Sequence, residues 1–321
     1  MKSRPILIVS GDPKSVFFEI FIKSIKLNSY KCPLILISSS KLLKLNLKKY
    51  KCKKSIRILN KNYLDNYKLN NKKINLIDID YKTSNNLIKN RLNTNTYIKG
   101  CFDSAFDIIK SGYSNKLING PINKSTFLNK KYLGLTEYIS KKFKINNTAM
   151  LIYNKDLSVC PLTTHLPLRL VSSKINKKLI GEKIKLINVF FTKYFDFKPK
   201  IAVSGLNPHC ESILKFNEDD KIIRPAIKSL KKKGFNIHGP FSADTIFLKQ
   251  NRAKYNVILG MYHDQVLSPI KTLKEYDAIN ITLGLPFFRI SPDHGPNEKM
   301  INKNLSNPLS LIRSLKFLDK R

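Results

Sequence analysis

Short apolar runs alternate with amphipathic segments along most of the chain. Short apolar-rich runs predict strands over Ile6–Val9, Pro33–Ser38, Lys116–Ile118, Ala149–Tyr153, Leu157–Leu162, Lys200–Ser204, Val257–Met261, Ala278–Leu283 and Pro286–Ile290. Helical spacing of apolar residues predicts helices over Phe17–Ile25, Thr94–Ser111, Lys174–Lys193 and Ile222–Lys232, and one that starts within Leu133–Ser140. Strands and helices that alternate in this way are typical of an α/β protein with a largely parallel sheet.

Two segments depart from this alternation. Residues 41–75 are rich in Lys and Asn without a clear period, so we expect strands and loops there. Gly239–Thr245 contains a Gly-Pro pair, which favours a loop. At 321 residues the chain is long enough for about two domains.

The stretch Tyr262–Gly295 concentrates polar groups that can do chemistry. Glycine and prolines interrupt it, so we expect short strands and turns with polar residues at their ends. Those residues are His263, Asp264, Lys271, Asn280, Arg289, Asp293 and His294. So many ionisable groups on turns favour a site that binds an anionic small molecule and moves protons.

The net charge of +37 admits two interpretations. It is typical of proteins that bind nucleic acid or membranes. However, Lys, Asn and Ile are all abundant and share A/T-rich codons, and the basic residues form no arginine-rich arm. We therefore expect compositional drift and no specific nucleic-acid partner.

The chain has no features of a membrane or secreted protein. No segment approaches the roughly 20 apolar residues that span a bilayer, and Ile6–Val9 is too short for a secretory signal. Its five cysteines are scattered without a CxxC pair, so we expect reduced, mostly buried thiols. These features predict a cytoplasmic protein.

Three histidines share one sequence context. His165, His209 and His263 each follow an apolar strand by a few residues and lie on polar or proline-containing turns. Ligands of parallel α/β sheets bind beyond the carboxyl ends of strands, so these imidazoles could converge on one divalent ion with an open position. Alternatively, each is a separate hydrogen-bonded loop histidine.

Four other polar residues accompany this pattern. Asp244 and Asp264 could orient metal ligands, and Asp244 could instead cap the helix that follows it. Lys271 and Arg289 suit a carboxylate or phosphate, although each alone could be a surface charge. The sequence contains no GxGxxG, GxxxxGK[ST], GxSxG or HExxH motif, which disfavours an ordinary Rossmann site, a P-loop, a serine hydrolase and a zincin.

Motifs across nearly the whole chain resemble the 4-hydroxythreonine-4-phosphate dehydrogenase family of vitamin B6 synthesis. They are SGDP (Ser10–Pro13), PINK (Pro121–Lys124), TEY (Thr136–Tyr138), TTHLPL (Thr163–Leu168), GLNPH (Gly205–His209), EDD with IRPAI (Glu218–Ile227), the GP and SADT segment (Gly239–Thr245), YHDQ (Tyr262–Gln265) and NITLGLPFFRISPDHG (Asn280–Gly295). They occur in the family's order.

This resemblance implies a two-domain α/β subunit with an isocitrate/isopropylmalate dehydrogenase-like fold and a cleft between the domains. We expect the first domain, on the cofactor side, over residues 1–125 and 272–321. The second, on the metal and dimer side, is expected over residues 126–271. The family is a homodimer whose active site is shared between the subunits.

The resemblance also implies the reaction and its residues. The implied reaction is the oxidation and decarboxylation of 4-phosphooxy-L-threonine to 3-amino-2-oxopropyl phosphate, in pyridoxine biosynthesis. It uses NAD or NADP and a divalent metal (Zn, Mg or Co). The metal ligands correspond to His165, His209 and His263, and the substrate contacts to Thr136, Lys271, Asn280 and Arg289. Lys271 and the three histidines are the expected catalytic residues, and no cofactor-binding residue is assigned.

Three departures from the family pattern leave alternatives open. The family's GHTE reads Gly134-Leu135-Thr136-Glu137, so a substrate-contacting histidine is replaced. Lys14–Phe18 replaces a glycine-rich continuation, and Pro296 and Lys299 stand where Thr and Asp are expected. Two alternatives are open. The protein could be a related dehydrogenase that acts on a threonate or erythronate 4-phosphate, or a member of the family that has lost catalysis.

Overall fold

The structure is a computed structural model that describes residues 4–84, 86–123, 127–128, 132, 134–211, 216–292 and 295–321. Four residues of the sequence motifs, Lys124, Leu133, Asp293 and His294, lie outside the described residues.

The described strands follow the apolar runs of the sequence closely. In chain order they are β1 (Ile6–Val9), β2 (Leu34–Ser38), β3 (Ile56–Ile58), β4 (Ile74–Asp78), β5 (Lys116–Asn119), β6 (Ala149–Tyr153), β7 (Ser158–Pro161), β8 (Ile201–Ser204), β9 (Ile237–Phe241), β10 (Val257–Gly260), β11 (Ile279–Leu283) and β12 (Phe288–Pro292).

The described helices alternate with these strands. They are α1 (Phe17–Leu27), α2 (Ser40–Lys49), α3 (Leu87–Lys110), α4 (Leu135–Lys142), α5 (Val171–Lys174), α6 (Lys177–Phe195), α7 (Arg224–Lys232), α8 (Lys249–Arg252), α9 (His263–Lys274) and α10 (Leu309–Asp319). Short 3₁₀ turns cover Lys61–Asn66, Leu168–Leu170, Pro208–Cys210 and Glu298–Met300, and a π-helical turn covers Asp219–Ile223. No helix of the described residues is both long and apolar enough to cross a membrane.

The chain forms two compact units. The first comprises Met1–Leu135 and Pro286–Arg321, and the second comprises Thr136–Leu285. The first unit has a parallel sheet in the order β3-β4-β2-β1-β5-β12. Its central strand β1 is fully buried because all four side chains are aliphatic and helices cover the sheet.

The loops after β1 and β5 touch backbone to backbone in the first unit. Gly11 has φ of +76°, and a Cβ there would lie 2.3 Å from the carbonyl oxygen of Pro121. A Cβ on Gly120 would lie 2.2 Å from the carbonyl oxygen of Ser10. Both positions therefore require glycine, which explains the glycines of SGDP and of the turn before PINK.

The second unit has a mixed sheet in the order β11-β6-β7-β10-β8-β9. Strands β7, β10, β8 and β9 are parallel neighbours, whereas β6 pairs antiparallel with β11 and β7. Helix α6 packs on β6 and β11, and α9 packs on β7 and β10. The predicted α/β architecture with largely parallel pairing is confirmed.

Three local predictions were wrong. Residues 41–75 contain α2, whose buried side chains are only Leu43 and Leu47, so its apolar stripe is too narrow to stand out among lysines. Gly239–Phe241 belongs to β9, the last strand in the order, where a proline is tolerated because an edge strand leaves one side unpaired. Tyr262–Gln265 is not a polar turn, since α9 begins at His263 and continues through Pro269.

Candidate functional site

Three neighbouring parallel strands of the second unit each lead to one of the predicted metal ligands. Strand β10 pairs with β7 on one side and with β8 on the other. Their carboxyl ends therefore lie at one edge of this sheet. His165 follows β7, His209 follows β8 and His263 follows β10.

Hydrogen bonds join the segment that carries His165 to the one that carries His263. The amide of Leu162 donates to the carbonyl of Gly260 at 2.7 Å, and the hydroxyl of Thr163 donates to the carbonyl of Met261 at 2.8 Å. As a result, the imidazole rings of His165 and His263 lie 6.0 Å apart between centroids, at an interplanar angle of 36°. His165 has a φ of +52°, in the left-handed region that non-glycine residues rarely adopt.

His263 is held by its neighbour in sequence. Nδ1 of His263 lies 2.7 Å from Oδ1 of Asp264. An ionised carboxylate can only accept, so Nδ1 carries the proton of this bond and Nε2 of the neutral ring keeps its lone pair. This is the tautomer and orientation that a metal-binding histidine needs.

The loop of His209 is fixed by a buried carboxylate. Asp219 is fully buried and accepts hydrogen bonds from the amides of Leu206 and Asn207, at 2.9 and 3.0 Å, and from the side chain of Asn207. His209 itself is exposed and has a φ of +56°. Within the described part of the chain, no three His, Cys, Asp or Glu side chains are grouped to hold a metal ion.

Gln265 links the loops after β8 and β10. Its Oε1 accepts from the amide of Met261 at 2.6 Å and from the hydroxyl of Ser204 at 2.9 Å. Its Nε2 donates to the carbonyl of Gly205 at 2.8 Å. Gln265 of the YHDQ motif and Asp219 of the EDD motif thus position the histidine loops, although neither was among the predicted site residues.

Thr136 and His165 line the same cavity, which has a volume of about 190 Å³. Thr136 is in the first turn of α4, where free backbone amides favour anions. The cavity wall also includes Glu137, Thr164, Glu182 and Lys183. The predicted substrate residue and one predicted metal ligand are therefore brought together within the second unit.

Two further predicted substrate residues are also in the second unit. Lys271 is half-buried in the later part of α9, which also begins with His263. Asn280 is in β11, and its Oδ1 is buried without a hydrogen-bond partner among the described residues. A buried acceptor of this kind is satisfied when a ligand or water supplies a donor.

Arg289 lies in the first unit, on β12. Its side chain is 3% exposed, and its Nε donates to Oδ1 of Asn119 on the neighbouring strand β5 at 2.8 Å. Arg289 is therefore a fixed, buried cation and not the surface charge that a basic protein would allow.

The candidate Asp244 and the histidine His238 lie outside this group. His238 is on β9, where its Nε2 lies 2.9 Å from Oδ1 of Asn236 and burial lowers the pKa of its ring. Asp244 is exposed in a turn, and it does not cap α8, because Leu248 occupies the N-cap.

The histidine pair fits a divalent metal. Two imidazoles with 6.0 Å between their centroids are close enough to share one ion, since each zinc–nitrogen bond is about 2.0–2.1 Å long. The carboxylate on Nδ1 of His263 is the partner that metal-bound histidines usually have. His165 and His263 would hold the ion, and among the described residues of a single chain His209 is not grouped with them.

Comparison with known proteins identifies the family. The model of the pyridoxal phosphate biosynthetic protein PdxA family matches residues 30–318. A 4-hydroxythreonine-4-phosphate dehydrogenase of Sulfurihydrogenibium sp. is 35% identical over 97% of this chain and 96% of its own length. A D-threonate 4-phosphate dehydrogenase of Pectobacterium atrosepticum is 33% identical over 68% of each chain.

Solved structures agree with these relatives. The crystal structure of a 4-hydroxythreonine-4-phosphate dehydrogenase from Klebsiella pneumoniae superposes with a TM-score of 0.83 at 27% identity, over 98% of this chain and 97% of that one. An isocitrate dehydrogenase from Methylococcus capsulatus, with a TM-score of 0.51 at 10% identity over 99% and 85% of the two chains, shows likeness of fold alone. The expected isocitrate dehydrogenase-like fold is confirmed, and the chain belongs to the PdxA family of dehydrogenases.

Proposed function

We propose that this protein oxidises and decarboxylates 4-phosphooxy-L-threonine to 3-amino-2-oxopropyl phosphate in pyridoxal phosphate biosynthesis, with NAD or NADP and a divalent metal. The observation that carries the proposal is the apposition of His165 and His263, with Nδ1 of His263 held by Asp264. It supplies two preoriented nitrogen ligands beside a cavity lined by Thr136. The family of relatives named for this substrate supports the same reaction.

The residues of the chain have separable roles in this reaction. His165, His263 and His209 hold the metal, and Asp264 fixes the ring of His263. Thr136, Lys271, Asn280 and Arg289 bind the phosphate and carboxylate groups, with Lys271 the cation beside the reacting carbons. When bound, a divalent ion would lower the pKa of an oxygen in contact with it, and a nicotinamide would supply the hydride acceptor.

The residues that bind the substrate can assist both the oxidation and the loss of carbon dioxide. Oxidation at C3 leaves a ketone β to the carboxylate, and the fixed cations keep that carboxylate oriented until the C–C bond breaks. Lys271 is the residue of α9 that we expect to protonate the carbon left behind, because an ammonium can both attract the anionic intermediate and return a proton.

We further propose a homodimer in the cytoplasm, with the active site shared between subunits. His209 is exposed on a loop that Asp219 fixes, so it is the ligand available to a second copy of the chain. Zn, Mg and Co are the candidate metals. No residue is assigned to NAD or NADP, because Lys14–Phe18 follow SGDP without a glycine-rich phosphate loop.

The direct test is turnover of 4-phosphooxy-L-threonine by the purified protein, with NAD or NADP and each metal. We expect NADH or NADPH and one carbon dioxide for each molecule oxidised, and loss of activity after chelation. Absence of turnover with every metal and cofactor, from a protein that is folded and binds metal, would favour the decayed, non-catalytic alternative.

A threonate or erythronate 4-phosphate is the second candidate substrate. One relative is named a D-threonate 4-phosphate dehydrogenase, and Leu135 replaces a histidine that the resemblance assigns to substrate contact. The same assay with both substrates separates the two, since the higher kcat/KM identifies the native one.

A further inference from the structure

A second cavity lies in the first unit, at the edge of the sheet where β2 and β4 begin. Its volume is about 540 Å³, within the range of about 300–1,000 Å³ that is typical of small-molecule sites. Its wall includes Leu34 at the start of β2, Ile74 at the start of β4 and Leu27 at the end of α1. The SGDP loop follows the other end of β1, a parallel neighbour of β2, so the cavity and that loop lie at opposite edges of the sheet. None of the lining residues has a part in the proposed reaction.

Much of the wall is apolar. Five of its apolar side chains are less than a tenth exposed: Phe21, Ile25, Leu34, Leu36 and Ile74. Leu27 also lines the cavity, and its side chain is 67% exposed. An apolar group that enters the cavity would remove this aliphatic surface from water, which is favourable. The wall therefore favours a ligand with an apolar body.

The charged residues of the same wall are all lysines. They are Lys26, Lys54, Lys72 and Lys73, and no aspartate or glutamate is among the described residues that line the cavity. Nζ of Lys54 donates to the carbonyl of Asn71 at 2.9 Å, and Nζ of Lys26 donates to the carbonyl of Tyr50 at 3.4 Å. A carbonyl does not neutralise an ammonium, so the lysines repel one another until an anion binds between them.

The side chain of Asn71 holds this wall in place. Its Oδ1 accepts from the amide of Leu34 at 2.8 Å, and its Nδ2 donates to the carbonyls of Tyr30 and Cys32 at 2.9 and 2.8 Å. These bonds join the segment between α1 and β2 to the segment before β4. The cavity is thus already formed, and a ligand does not have to order its wall.

We propose that this cavity binds a small amphipathic anion, a molecule with an apolar body and a phosphate or carboxylate head group. The body packs against the apolar side chains around Leu27, and the head group is bound by the lysines. The cavity has room for about 15 to 20 non-hydrogen atoms, since a water molecule occupies about 30 Å³ in the liquid. Exposed lysines alone bind an anion weakly in water, so both parts of the ligand are needed.

The binding test uses 1-naphthyl phosphate, which has both parts of the expected ligand. Inorganic phosphate has the charge without the apolar body, and 1-naphthol has the body without the charge. By titration calorimetry we expect the folded protein to bind naphthyl phosphate at least about tenfold more tightly than either of them. Decanoate, titrated in the same way, shows whether a flexible chain with a carboxylate is preferred to a rigid ring with a phosphate.

Variants at exposed positions show whether the bound probe is in this cavity or at the phosphate-binding residues of the proposed reaction. Leu27→Gln, and the double change Lys72→Gln with Lys73→Gln, should each weaken binding of the preferred probe by about 3- to 10-fold. Leu45→Gln is the matched control for the first, because Leu45 of α2 is also 67% exposed and does not line the cavity. Melting temperatures show whether each variant is folded.

The control for the lysine pair is Lys44→Gln with Lys48→Gln, two exposed lysines of α2 outside the cavity. It removes the same charge from the same unit, and so separates local binding from the general attraction of an anion to a protein with a net charge of +37.

Weaker probe binding in the cavity variants, with the controls unchanged, supports the inference. An equal loss in the control lysine pair, or equal affinities for naphthyl phosphate and inorganic phosphate, would overturn it, because net charge alone would then explain the binding. Absence of saturable binding of both probes up to about 1 mM would also overturn it. If Leu27→Gln changes the oligomeric state in sedimentation and leaves probe binding unchanged, the cavity is instead covered by a second copy of the chain.

Discussion

The rings of His165 and His263 lie 6.0 Å apart, although the two residues are distant in the sequence. Strands β7 and β10 are parallel neighbours, and Thr163 donates to the carbonyl of Met261, so the pairing of the rings is a consequence of the sheet and its loops. The carboxylate of Asp264 then sets which nitrogen of His263 faces outward. This relationship leads to two predictions about metal binding.

Asp264→Asn should weaken metal binding without removing a ligand. We expect a loss of about 10- to 100-fold in affinity, because the neutral amide oxygen is a weaker acceptor for Nδ1–H of His263 than the carboxylate. His263→Ala and His165→Ala should each lose more. The matched control is Glu275→Gln, a change in the exposed residue that follows α9. Equal metal affinities of Asp264→Asn and the wild type, measured by titration calorimetry, would contradict the role of Asp264.

Mixed dimers can test which copy supplies His209. If His165 and His263 act within one chain and His209 comes from the other, mixing His209→Ala with His263→Ala chains restores one complete site. Mixing His165→Ala with His263→Ala restores none. Activity after verified subunit exchange distinguishes the two mixtures, and equal recovery in both would mean that the ligands are divided differently.

Asp219 should matter more for stability than its neighbour Asp220. Asp219 is fully buried and accepts from the side chain of Asn207 and from the amides of Leu206 and Asn207, and Asp219→Ala would remove the acceptor of both amides. We expect the free energy of unfolding to fall by about 3 kcal/mol. Asp220→Ala, which removes an exposed ion pair with Arg224, should lower the free energy of unfolding much less.

Asp12 should make stability depend on pH in an unusual direction. Burial raises the pKa of the Asp12 carboxyl, and the charge of Glu298 adds to this shift. The folded state therefore binds the proton more readily than the unfolded state, so ionised Asp12 destabilises the fold above its raised pKa. This penalty disappears as the pH falls below the ordinary value of about 3.9.

Asp12→Asn should consequently be more stable than the wild type at pH 7. The asparagine still accepts from the amide of Lys14, which donates to Oδ1 of Asp12 at 2.8 Å. Denaturant titrations should show the difference shrink as the pH is lowered towards about 4. A difference that stays constant over this range would mean that the carboxyl is not the cause.

Asp156 provides the opposite case in the second unit. Lys274 donates to Asp156 at 2.6 Å and lowers the pKa of its carboxyl. Its contribution is therefore present above the ordinary carboxyl pKa and is lost as the pH falls. Asp156→Asn should be slightly less stable at pH 7, by well under about 1 kcal/mol because the pair is solvent-exposed, and equal to the wild type in acid.

Most of the architecture could be predicted because the buried strands are rich in apolar residues, as in Ile6–Val9 and Val257–Gly260. The start of α9 could not, because Pro269 reads as a helix breaker and His263 as a turn residue. The three histidines that follow predicted strands identified the edge of the second unit's sheet where β7, β8 and β10 end. The residues that fix it, Asp219 and Gln265, belong to the EDD and YHDQ motifs, but a local pattern does not identify hydrogen-bond partners such as Leu206 and Gly205.

Leu135→His tests whether the pocket was rebuilt around the replaced residue. The resemblance places a substrate-contacting histidine here, yet the Leu135 side chain is only 7% exposed. A histidine in its place must bury a polar ring, so we expect the free energy of unfolding to fall by about 1–3 kcal/mol. If the remaining contacts still suit 4-phosphooxy-L-threonine, the new donor should raise kcat/KM for that substrate by about 10- to 100-fold despite the lower stability. Leu135→Met, which keeps an apolar side chain of similar volume, is the control and should change neither quantity by much. A loss on 4-phosphooxy-L-threonine, together with strong wild-type activity on a threonate 4-phosphate, would show instead that Leu135 belongs to a site adapted to the second substrate.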